Sequence, residues 1–172
     1  ACISFLVEGA VMDWSGVLLT EVKNMDIALA GTGYAIFSVA MLIMRLLGDK
    51  TVQFLGEQKA VIGGSIVTAA GFALVVVLDN LYLNAFAFIL IGLGCANIVP
   101  VFYSLLKYQK DMPISAAVTS VTSLGYTGVI LGPALLGFVA HGINISAVFE
   151  LVALLLVIEA GIAKYVFCKL KM

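Results

Sequence analysis

FLVEGAVMDWSGVLL, residues 5–19, reads as an apolar helix with two acids set into it, Glu8 and Asp13. The solvent around this stretch decides the fold, because water tolerates those acids and hydrocarbon resists them. A carboxylate at the centre of a membrane helix costs about 2.5–3.5 kcal/mol, while each Leu, Ile, Phe or Val returns about 0.3–0.6 kcal/mol. The helix is therefore a marginal membrane span by itself and needs neighbours or water to shelter its acids. At about 100° per residue, Ser15, Glu8, Met12, Gly16, Gly9 and Asp13 share one arc, and Ile3, Val7, Ala10, Val11, Trp14 and Leu18 share the other. The apolar arc is expected to face lipid and the polar arc a bundle interior or cavity. Glu8 and Asp13 lie about 7.5 Å apart along the axis, too far for one shared proton but suited to lining one cavity.

The rest of the chain answers the question of solvent. Its 172 residues are 63% hydrophobic and 11% charged, with a mean hydropathy of +1.17. Soluble domains are about 45–50% apolar and about 25% charged, so there is too little charge here to coat a globule in water. The membrane class follows. A net charge of -1 leaves no basic stripe for phosphates, and no nucleic-acid partner is expected. Cys2, Cys95 and Cys168 are far apart, and His141 is the single histidine. No ligand spacing for a metal exists, so neither a metal site nor a cofactor is expected, and the thiols read as small apolar groups.

A span needs about 20 apolar residues, and six stretches qualify: about 1–21, 27–47, 59–78, 81–106, 114–140 and 143–167. They read as one all-α, six-transmembrane-helix domain over 1–172. EVKNMD, GDKTVQFLGEQK, LDN, KYQKDMP and HGIN separate them, and links this short make sequential helices antiparallel neighbours. Arg45, Lys50, Lys59, Lys107, Lys110, Lys164, Lys169 and Lys171 fall on one side, and Lys23 alone on the other. By the positive-inside rule both ends of the chain are expected in the cytoplasm. Gly33-Tyr34 in the second span recurs as Gly125-Tyr126 in the fifth, an echo of two three-helix units. With three spans per unit the second enters from the opposite side, giving an inverted 3+3 repeat.

Several positions are marked by chemistry. Burial disfavours the charged form of a carboxyl, so an acid in a cavity exchanges its proton as water enters and leaves. That is what proton coupling in a carrier requires, and Glu8 and Asp13 are the candidates. In GLGCANIVPVFYSLL, residues 92–106, Pro100 removes a backbone donor one turn beyond Ala96, and Asn97 stands beside the weakened turn. Asn97 is a candidate substrate contact, with an interhelical hydrogen bond as the alternative. In SLGYTGVILGPALLG, residues 123–137, Gly125, Gly128 and Gly132 share a helical face that lets another backbone approach, and Pro133 adds a bend. Tyr126 is placed to reach a cavity. Glu150 and Glu159 fall on opposite faces of the last span and carry no assigned role.

MRLLGDKTVQFLGEQKAVIGGS, residues 44–65, resembles the signature loop of the major facilitator superfamily, with Arg45, Gly48, Asp49, Lys50 and Gly56 at its charged and glycine positions. Glu57 and Gln58 precede Lys59 where a basic pair is usual, so the loop resembles the weaker form between helices eight and nine. EGAVMDWSGVLL is similar to the seventh helix, GLGCANIVPVFYS to the tenth and GYTGVILGPALLG to the eleventh of the sugar-permease-like branch that includes the fucose:proton symporter. The resemblance implies the C-terminal six-helix half of a twelve-helix carrier, with its first and fourth spans lining a central cavity. It implies transport of a small solute by alternating access, proton-coupled and sugar-like, in a bacterial inner membrane. The absent N-terminal half, the bilayer, the solute and protons are the expected partners. Arg45, Gly48, Asp49, Lys50 and Gly56 would then hold a cytoplasmic gate. The alternative is a six-helix carrier or scaffold complete as it stands, self-assembling so that two copies supply twelve helices. An enzyme is not expected. An intramembrane serine protease needs a base beside its nucleophile, and His141 lies at an outer turn.

Overall fold

The computed structural model describes residues 1–170; Lys171, part of the basic bias above, lies outside them. Helix α1 spans Cys2–Val17 and continues as a π-helical turn over Leu18–Val22, then a short 3₁₀ turn at Ile27–Leu29 leads into α2, Thr32–Leu46. Helices α3, Gly48–Leu55, and α4, Glu57–Val77, follow. Helices α5, Leu81–Cys95, and α6, Ile98–Leu105, make one interrupted span; α7 covers Ile114–Gly142 and α8 Ile145–Leu170. Among the described residues six helices are long and apolar enough to cross a membrane.

Local chemistry sets the breaks. Asp26, Asn80 and Asn144 each accept a hydrogen bond from a backbone N–H two or three residues on, at 2.7–2.9 Å, satisfying donors that a helix start leaves free. Asn144 thus caps α8. The second-to-third connection differs from a plain loop, because Gly48–Leu55 forms the amphipathic helix α3. Gly56 closes it with φ +83°, a conformation that side-chain-bearing residues rarely adopt.

The pairing of spans shows the repeat. The first span packs on the fifth, the second on the fourth, and the third on the sixth. Exchanging spans one to three with four to six maps this set of pairs onto itself. The third span is central, touching the fourth as well, and its Phe72 meets Phe149 of the sixth at 5.6 Å between ring centroids. Small residues let the backbones approach. A Cβ on Gly64 or Gly94 would strike the backbone of the facing helix, and one on Gly92 would strike the second span at Phe37.

The first span corrects one expectation. Val7, Ala10, Val11 and Leu18 do not face lipid; they are buried in the core of the six-helix unit. The polar arc with Glu8, Met12 and Asp13 is the side that opens outward. The physical reason is that this span has neighbours in the fifth, second and sixth helices, so the arc with no charge to shelter is the one the bundle encloses.

Among the described residues Lys23, the single basic residue at the end opposite the others, has its side chain only 3% exposed. Its ammonium donates to the carbonyl of Val76 at 2.6 Å and to Asp79 at 2.7 Å. It therefore caps the C-terminal end of α4, where the helix dipole favours a cation. Lys23→Met is expected to lower unfolding stability by about 1.5–3 kcal/mol, the range of a charged hydrogen bond. A denaturant titration in detergent checks it, and an unchanged midpoint would count against the cap.

Candidate functional site

The outward side of the first span forms one wall of an open cavity of about 370 Å³. Phe5, Glu8, Gly9 and Met12 line it from α1, Tyr34, Ser38, Met41 and Arg45 from α2, and Val129 from α7. Antiparallel packing sets Glu8, early in the first span, at the depth of Arg45, late in the second. Nη2 of Arg45 donates to Oε1 of Glu8 at 2.9 Å. The two side chains are 44% and 31% exposed, so the pair is reachable from the cavity. Each supplies the counter-charge that makes the other tolerable in a membrane helix, and the remaining guanidinium donors stay available.

This pair was not legible in the sequence, which placed Arg45 with a gate and Glu8 with a cavity. The signal available was the antiparallel register: residue 8 counted from one end and residue 45 counted back from the same end lie at one level.

The other expected residues fall in different places. Asp13 is exposed on the same open side but does not line the cavity, and it makes no ion pair among the described residues. Tyr126 is exposed on the fifth span, its ring 5.9 Å from that of Phe5 at the cavity edge. Gly125 lies under the ring of Phe5, Gly128 under the carbonyl of Cys2 and Gly132 beside Leu6, so the fifth span rests on the first along this face. Pro133 lies within α7 and is exposed.

Asn97 sits at the break between α5 and α6, 6% exposed, and turns to the basic end. Its Oδ1 occupies the space a Cβ on Gly48 would take, which is why that position suits glycine. Arg45, Gly48, Asp49, Glu57 and Asn97 line a second cavity of about 290 Å³ there. Glu57 accepts hydrogen bonds from Ser104 at 3.0 Å and Lys107 at 3.1 Å, tying the start of the third span to the end of the fourth. Lys50 is exposed on α3. Arg45 thus borders both cavities. Glu150 is exposed, whereas Glu159 is buried and accepts a hydrogen bond from the Ser4 hydroxyl at 2.8 Å, joining the sixth span to the first.

An ion pair facing an open cavity with aromatic rings at its edge can hold and release a small polar solute. No family model matches the chain. An uncharacterized MFS-type transporter of Yersinia pestis is 40% identical over 164 residues, 95% of this chain and 43% of that protein. An uncharacterized transporter of Sinorhizobium fredii is 31% identical, again over 95% of this chain and 43% of that protein. The membrane protein MosC of Rhizobium meliloti is 25% identical over 93% of this chain and 38% of its own length. The chain therefore spans about two fifths of the length of these relatives. What the helices and the relatives establish together is a six-helix integral membrane protein similar, over nearly all its length, to transporters that include one of MFS type.

Proposed function

We propose that the chain is the C-terminal six-helix half of a major facilitator superfamily carrier that moves a small solute by alternating access. The observation that carries this reading is the Glu8–Arg45 pair facing an open cavity on one side of the bundle, where a second half would close it. Glu8, Asp13, Asn97 and Tyr126 serve solute and proton. The net neutrality of the pair and the rings of Phe5, Tyr34 and Tyr126 suit an uncharged, hydroxyl-bearing solute of the sugar class over a large cation. Arg45, Gly48, Asp49, Lys50 and Gly56 form the gate at the basic end, which is cytoplasmic by the charge bias. Gly125, Gly128, Gly132 and Pro133 give the fifth span a surface that slides and bends on the first. A bacterial inner membrane is the setting.

Uptake of candidate solutes by cells carrying the full protein tests the proposal, comparing wild type with Glu8→Gln and Asp13→Asn across external pH. Proton-driven uptake rises as external pH falls, because the inward proton gradient grows. The expected outcome is that Glu8→Gln flattens this dependence. Wild-type pH dependence in both variants would remove these acids from coupling.

A further inference from the structure

The second span has two unlike flanks. Tyr34, Ser38 and Arg45 face the cavity with the ion pair, while Ala35, Ile36, Val39, Ala40 and Ile43 face a wholly apolar groove shared with Ile89 and Leu93 of the fourth span. That groove, about 390 Å³, meets at Leu93 a further cavity of about 270 Å³ under α3, bounded by Met44, Thr51, Leu55, Lys59 and Gly63. From Met44 to Ala35 the path covers about 13 Å along the helix axis, close to the hydrocarbon depth of one leaflet.

The mouth of this path is basic. Lys59 borders it, Lys50 is exposed on the adjoining helix beside Thr51, and the acids of the same segment, Asp49 and Glu57, line the other cavity. Phe54 on α3 is 89% exposed, as expected of a helix lying in a membrane interface. We propose that this path is a binding site for an anionic phospholipid of the leaflet at the basic end. One acyl chain lies in the groove between the second and fourth spans, and the phosphate rests against Lys59 and Lys50. The charge at the mouth selects an anionic headgroup, and the aliphatic lining selects a chain over a solute. The proposal does not depend on what the protein transports.

The test is lipid retention by the purified full protein, read by native mass spectrometry with phosphatidylglycerol and phosphatidylcholine of identical chains. Wild type is expected to retain phosphatidylglycerol in preference. Lys59→Gln is expected to weaken that retention roughly fivefold, and Lys50→Gln with it by a similar further factor, with phosphatidylcholine unaffected. Lys59→Arg is expected to keep it. A Cβ on Gly63, in the cavity under α3, meets nothing within 4 Å, so Gly63→Leu fills the entrance to the groove without disturbing the core and is expected to displace the chain of either lipid. Thermal unfolding verifies that each variant is folded, and if Gly63→Leu is not, the Gln and Arg pair at position 59 decides alone. Equal retention of the two lipids by wild type, or phosphatidylglycerol retention unchanged by Lys59→Gln, would overturn the proposal.

Discussion

Gly94→Leu is expected to prevent the six-helix unit from assembling. A Cβ at this position meets the Thr68 hydroxyl, the Gly64 carbonyl at 2.7 Å and the Thr68 backbone nitrogen at 2.8 Å. Two of these obstacles are backbone and cannot rotate aside, so the third and fourth spans must separate. Overpacking typically costs about 1–3 kcal/mol, and separation of a central helix pair takes the cost to the top of that range or beyond. The third span also carries the contact with the sixth, so the loss spreads through the unit. Gly63→Leu, one residue before Gly64 and open to empty space, is expected to stay within about 0.5 kcal/mol of wild type. Denaturant unfolding and size exclusion of the two variants in one detergent check the contrast. A wild-type-like Gly94→Leu would show that the close approach of these backbones does not hold the bundle.

Arg45→Gln is expected to reduce solute uptake about 10- to 100-fold, the rate equivalent of the ~1.5–3 kcal/mol that a hydrogen bond between charged groups contributes. The change leaves Glu8 without its partner on a membrane helix and unties its cavity from the second one at the basic end, since Arg45 borders both. Stability is expected to move far less, because the pair is about a third to nearly half exposed and partly screened. Glu8→Gln alone is also expected to impair uptake. The double variant Glu8→Gln, Arg45→Gln is expected to lose less than the two single losses combined, which is the mark of two groups acting as a pair. Strictly additive losses in uptake would mean that the two residues act independently.

The six spans were legible because each is a long apolar run, and Asp26, Asn80 and Asn144 mark the starts of the second, fourth and sixth with side chains that bond the backbone. The break at Asn97 was legible from Pro100 for a similar reason, since proline withholds a donor one turn beyond it. Three features escaped. Helix α3 was hidden by its polar composition and by Gly56, which reads as a loop signal although it only turns the chain between two helices. The apolar arc of the first span was misplaced, although the polar arc does line a cavity, because a wheel gives the angle between arcs and not which neighbour each arc meets. The Glu8–Arg45 pair joins residues 37 apart, and only the packing of the first two spans brings them to one level. Lys23 shows the same limit: its charge counts against the basic bias, yet its side chain is spent on Val76 and Asp79 within the fold.

In the proposed carrier the two flanks of the second span meet different solvents, water on the side of Glu8 and lipid on the other. Single cysteines at Met12, Ser38, Val39 and Ile43 test this most directly, placed in the full protein with Cys2, Cys95 and Cys168 replaced by serine or alanine. Treated in membranes with a charged maleimide, Met12→Cys and Ser38→Cys are expected to react, and Val39→Cys and Ile43→Cys to remain unlabelled. Labelling at positions 39 and 43 with none at 12 and 38 would contradict the account.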